Sequence, residues 1–166
     1  MVAACGTRDR LVTRRWIPIM FALLSAIAFA MSVQGGRWWS IDDAEIGPFG
    51  GRQCFDHQCR PTNLAWLGEH ERWMRTGMAT WAAGLIALTV LVVVAGAVAA
   101  KRTPRLAAKM ALVSIVTAAI VGGLFYFQFP SAQFPSAEPG RGILLYVAAL
   151  VLGVAATIPV LRANRS

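Results

Sequence analysis

The sequence predicts an all-α membrane protein, a bundle of four transmembrane helices with a disulfide-bearing loop on its outer side. Three observations carry this: a composition too apolar for a soluble domain, four apolar stretches of spanning length, and an uneven distribution of basic residues. Of 166 residues, 57% are hydrophobic and 14% charged, against about a quarter charged in an ordinary soluble domain. The net charge of +8 does not point to nucleic acid, because the charges bracket apolar segments instead of forming a patch. The expected partner is the lipid bilayer. Arginine far outnumbers lysine, which occurs only at Lys101 and Lys109, and alanine is abundant. That bias fits GC-rich coding and a bacterial source.

A helix needs about 20 predominantly apolar residues to cross the hydrocarbon core. The stretches 16–34, 77–100, 106–127 and 143–161 qualify, so the chain reads as a single membrane domain with outer loops at 35–76 and 128–142. Arg14 and Arg15 precede the first stretch, Lys101, Arg102, Arg105 and Lys109 cluster around the second turn, and Arg162 and Arg165 follow the last. Basic residues are enriched on the cytoplasmic side, which places both termini in the cytoplasm of a multi-pass plasma (inner) membrane protein. Ala28-Phe29-Ala30 has the form of a signal-peptidase site. The apolar run continues through Met31, Ser32 and Val33, so the segment is read as a retained span.

Small residues recur every fourth position in three spans: Ala22, Ala26 and Ala30; Ala79, Ala83 and Ala87; Ser114, Ala118 and Gly122. Such stripes let helix backbones approach closely. Lys109, near a helix end, is the one ionisable group of the Asp, Glu, Lys, Arg or His types within the spans. Pumps and carriers of charged substrates need such groups at membrane depth, so the helices read as a scaffold.

The first outer loop holds the unusual chemistry. Gly47-Pro48 and Gly50-Gly51 are turn signals, and the runs 37–41 and 52–55 read as strands. From Thr62 the pattern turns helical, with Thr62 or Asn63 as cap and Glu69–Arg72 and Glu71–Arg75 spaced to pair. Trp66 and Trp73, seven residues apart, share one face and read as an aromatic belt at the membrane surface. A hairpin turning at Asp56 and His57 brings Cys54 opposite Cys59, where the oxidising side of the membrane favours a disulfide. A metal site from Cys54, His57, Cys59 and His70 is the alternative. The second outer loop repeats Gln-Phe-Pro-Ser-Ala over 128–132 and 133–137, and its two prolines forbid a regular helix. It reads as a spacer.

A long first outer loop with a tryptophan, a Gly-Leu-Trp-like element and two cysteines, followed by a helix leading into the second of four spans, resembles the claudin and peripheral-myelin-protein superfamily. On that resemblance the first tryptophan is Trp38 or Trp39, the middle element Gly47-Pro48-Phe49, and the cysteines Cys54 and Cys59. Arg72 or Arg75 matches an arginine usual at the start of the second span. Phe49 stands where the family has a second tryptophan and lies farther from Cys54, while the two cysteines are closer together. The resemblance implies a left-handed four-helix bundle carrying a small extracellular sheet clasped by a disulfide.

The expectation is a non-enzymatic protein that makes lateral or facing contacts through its outer loops, with copies of itself or within a larger membrane complex. Asp42, Asp43, Asp56, His57, Trp66 and Trp73 are the candidate contact residues. No cofactor is expected. A thiol-redox or quinone-linked protein using Cys54 and Cys59 is a second reading. An oligomeric channel, with Asp42 and Asp43 setting ion preference, is a third.

Overall fold

The protein is described by a computed structural model covering residues 6–35, 37–55, 58–62, 71–102 and 105–162, with side chains from Trp16 onward. Asp56, His57, Trp66 and His70 lie outside the described residues. Four helices, α1 (Gly6–Gln34), α2 (Glu71–Ala99), α3 (Arg105–Phe127) and α4 (Arg141–Arg162), are each long and apolar enough to cross a membrane. Each packs on its neighbours in sequence, and α1 closes the ring against α4. Five short strands gather at one end: β1 (Trp39–Ile41), β2 (Ala44–Gly47), β3 (Gly50–Phe55), β4 (Gln58–Thr62) and β5 (Glu138–Pro139).

The helices are apolar on every side, so their outward faces show Ile27 and Met31 on α1, Ile86 and Val93 on α2, and Val116 and Ile120 on α3. A helix apolar all round belongs in a core or in lipid. Inside, the buried positions follow a seam. In α2 they include Trp73, Gly77, Thr80, Gly84, Ala87, Leu91 and Val94; in α3 they are Ala108, Ala111, Ile115, Ala118, Gly122 and Phe125. In α4, Gly142, Tyr146, Ala149, Gly153, Ala156 and Val160 continue the pattern.

Spacings of three and four alternate along these seams. The expected every-fourth stripes hold only in part: Ala79 faces outward, and Ala30 and Ser114 are half-buried. A four-residue step overshoots a full turn by about 40°, so a strict stripe drifts off the contact line after two steps. Alternating steps stay on it.

Side-chain hydroxyl and indole groups in the seam bond to neighbouring backbones. Ser25 Oγ donates to Ala149 O at 2.6 Å, Ser32 Oγ to Gly142 O at 2.8 Å, and Tyr146 OH to Ala118 O at 2.8 Å. Thr80 Oγ1 lies 2.8 Å from Thr76 O and 3.1 Å from Val121 O. These bonds join α1 to α4, α4 to α3 and α2 to α3, each contributing roughly 0.5–2 kcal/mol in an apolar surround.

The sheet is antiparallel, in the order β4-β3-β2-β1-β5. Asp42 and Asp43 form a two-residue turn between Ile41 and Ala44. Asp42 takes a left-handed conformation (φ 48°), which Asp tolerates better than most residues. Thr62 pairs with Gly51 as the last residue of β4; α2 is described from Glu71, and the expected cap at Asn63 and the Glu69–Arg72 pair lie outside the described residues. The expected Glu71–Arg75 pair is present at 2.6 Å.

Several approaches in the seam leave no room for a Cβ, and the closest among the described helical glycines is at Gly122. A Cβ on Gly122 would sit 2.5 Å from the Tyr146 ring, whereas one on the adjacent Gly123 would meet nothing within 4 Å. Tyr146 cannot swing away, because its hydroxyl is bonded to Ala118 O and its ring abuts Phe29 and Trp38. Gly122→Ala should therefore force α3 and α4 apart and cost about 1–3 kcal/mol. Gly123→Ala should be neutral or slightly stabilising, because alanine is the better helix former. Thermal unfolding of the two variants in detergent checks this; equal midpoints would contradict the packing described.

Candidate functional site

The sheet is joined to the bundle through two adjacent tryptophans. Trp38 is 1% exposed; its indole N–H lies 3.2 Å from both Ser32 O and Ser32 Oγ. Its ring meets Phe125 at 5.3 Å and Tyr146 at 4.9 Å, both edge-on. Its backbone bonds outward as well, with Trp38 N–H donating to Ile46 O and Gly140 N–H to Trp38 O. One residue thus touches α1, α3, α4, β2 and the chain entering α4.

Trp39 lies flat on Phe129, with centroids 4.0 Å apart and planes 14° apart, and also stacks on Tyr126 at 5.2 Å. Its own Nε1 is buried and has no hydrogen-bond partner among the described residues. Trp73 completes the cluster, stacked on Phe125 at 4.9 Å and donating to Phe125 O at 2.9 Å. It was expected in a surface belt with Trp66; it is 4% exposed and belongs to the core. A ring that reaches a helix carbonyl and stacks on an aromatic neighbour is better satisfied inside than at an interface.

The second loop corrects the spacer reading. Phe129 of the first Gln-Phe-Pro-Ser-Ala unit is buried under Trp39 and packs against Phe134 of the second at 6.4 Å. Beyond the repeat, Glu138 and Pro139 pair with Ser40 and Trp39 as the fifth strand. No hydrophobic alternation marks so short a strand. The aromatic spacing of the repeat was the one available signal.

Side chains alternate between sheet faces. Trp39, Ile41 and Ile46 share the face turned to the helices, and all three are buried. A row formed by Ser40, Glu45, Arg52 and Pro61 crosses the opposite face. Glu45 accepts a hydrogen bond from Arg52 Nε at 2.5 Å and is ion-paired with Arg37, whose Nη1 lies 2.7 Å from Oε1.

Cys54 and Cys59 sit directly opposite each other in the β3–β4 hairpin and form a disulfide. Both sulfurs are used, so the metal alternative loses its two cysteine ligands. Gly47 and Phe49 lie at the β2–β3 turn, where the Phe49 ring is 5.0 Å from Trp81 of α2. Gly77 permits this seating, since a Cβ there would stand 2.9 Å from the Pro48 carbonyl oxygen. Asp42 and Asp43 are exposed at their turn, and Arg72 and Arg75 are exposed in the first turn of α2. The described candidate residues are therefore divided between an internal anchor and exposed turns.

No protein-family model matches the chain, and no curated protein matches it.

The cystine closes a short loop, worth about 2 kcal/mol by chain entropy. Replacing both Cys54 and Cys59 with serine should loosen the β3–β4 tip by that amount and leave the helices folded. Limited proteolysis read alongside helical circular dichroism measures both; a loss of helix together with the hairpin would show the disulfide to be supporting the bundle itself.

Proposed function

We infer that the chain is a non-enzymatic, claudin-like membrane protein that presents its sheet as a contact platform, binding copies of itself or other membrane proteins. The observation that carries this reading is the contrast between the two sides of the sheet. One side is held by buried tryptophans, while β4 at the edge and Phe55 at the hairpin tip are exposed. A fixed platform loses little conformational freedom when a partner docks, and that favours affinity.

The orientation reading gains support from the chain's polarity. Lys101, Arg102 and Arg105 lie in the turn opposite the sheet, and α1 begins and α4 ends at that same end. Basic residues on the cytoplasmic side put the sheet outside. The alternating three-and-four seam supports a left-handed bundle, as the claudin resemblance implies.

The edge itself favours side-chain contact over strand addition. β4 carries Arg60 and Pro61, a charge and a missing donor of the kind that blunts edge pairing. The anchor is then Phe55, 57% exposed at the tip, since aromatic side chains dominate contact energetics. Phe55→Glu should lower co-purification of the partner or second copy by about tenfold or more without moving the thermal midpoint. Gentle extraction into lipid discs followed by native mass analysis tests this. A wild-type protein extracted as a lone monomer would overturn the reading.

A further inference from the structure

Between the end of α1 and the sheet lies a cleft of about 340 Å³. Val33, Gln34 and Gly35 form its floor, and β2, β3 and β4 its wall, with Phe49 among its lining residues. Its polar side is the arginine–glutamate–arginine group. Glu45 is largely buried, at 14% side-chain exposure, while Arg37 and Arg52 are half exposed, at 50% and 44%. Arg52 gives one of its N–H donors to Glu45 Oε2, and Arg37 is ion-paired with Oε1, so each carboxylate oxygen faces one guanidinium. Neither arginine has a further acceptor among the described residues, so both keep N–H donors for a ligand. The group carries a net charge of one positive unit, and the exposed Phe49 and Pro61 supply the apolar part of the lining.

Its position specifies the ligand further. The floor is the last turn of a helix apolar enough to cross a membrane, and the Phe49 ring beside it rests on Trp81 of α2. Tryptophan near the end of a span, as Trp81 is, is enriched at the level where headgroups meet hydrocarbon. A singly charged phosphodiester matches the net charge of the cleft, the arginine forks suit phosphate oxygens, and the volume is at the small end for ligand sites. We propose that this cleft binds the phosphodiester headgroup of a phospholipid. The assignment rests on the reading of the sheet as seated on the outer membrane surface, but does not require the sheet to bind a protein partner.

Glu45 gives the test its sign. Arg52→Gln removes a fork and lowers the group to neutral, whereas Glu45→Gln raises it to two positive units. The full chain in neutral detergent is titrated with short-chain phosphatidylglycerol, with the matching diacylglycerol, and with inorganic phosphate, and adducts are counted by native mass spectrometry. Wild-type protein should bind phosphatidylglycerol and not diacylglycerol. Arg52→Gln should weaken binding by about tenfold, the order expected for one charge-assisted contact, and Glu45→Gln should strengthen it severalfold. Inorganic phosphate should compete weakly; full displacement at equal concentration would overturn the lipid source in favour of the free anion. Basic residues at the opposite end also attract anionic lipid, and comparing variants cancels that background. Equal binding by wild type and Glu45→Gln would overturn the proposal, even if Arg52→Gln failed to fold. Loss of a protein partner through Phe55→Glu, with lipid binding unchanged, would separate the two functions.

Discussion

The sheet end of this protein depends on where one indole goes. Trp38 leaves the end of α1 and turns back into the space between α1, α3 and α4, where Ser32, Phe125 and Tyr146 receive it. A buried indole N–H is stabilised by an acceptor, and for Trp38 Ser32 provides one while donating to Gly142 O of α4. The same serine therefore fixes both the tryptophan and the start of the fourth helix. Backbone bonds complete the lock: Gly142 N–H reaches Arg37 O at 2.7 Å, and Gly140 N–H reaches Trp38 O at 2.8 Å. With Trp38 seated, β1 has a fixed origin, and β2 to β4 follow by hairpins. β5 joins from the far side because the chain entering α4 is already bonded to Trp38.

The bundle below must hold this end steady without help from the hydrophobic effect, since lipid is as apolar as leucine. Small residues in the seams bring backbones close, and hydroxyl groups bond to the carbonyls of neighbouring helices. Gly122 beside Tyr146 and Ser25 beside Ala149 show the two devices. Both need an accurate register, which the alternation of three and four supplies. Above the seam, Trp73, Phe125, Phe129 and Trp39 form a continuous aromatic layer that joins helix ends to sheet.

The spans were legible because length and hydropathy are properties of the sequence alone. The pairing of Cys54 with Cys59 was legible because a hairpin with its turn at 56 and 57 leaves little other geometry. What faces what was not. Ala79 and Ser114 fell into an every-fourth pattern that composition alone produces in an alanine-rich helix, and only the packed seam shows that they lie off it. Trp73 and Phe129 looked like surface aromatics, since a tryptophan near a span end suits the interface as well as a core. Their burial depends on carbonyl and ring partners contributed by segments distant in sequence. β5 was out of reach for the same reason, its two residues being defined by pairing with β1.

These elements combine into a scaffold that carries a stiff, disulfide-clasped sheet at one end, with an arginine-lined cleft where sheet and helix meet. Trp38 holds the sheet in place, because the strands themselves are too short to stand alone. Hydrogen–deuterium exchange of wild type and Trp38→Ala in lipid discs tests it most directly. The substitution should strip protection from β1, β2 and β5 together, by a factor of about a hundred or more given roughly 3–5 kcal/mol for a buried tryptophan, while the middle of α2 and α3 stays protected. Unchanged protection in the sheet, or uniform loss throughout the bundle, would contradict it.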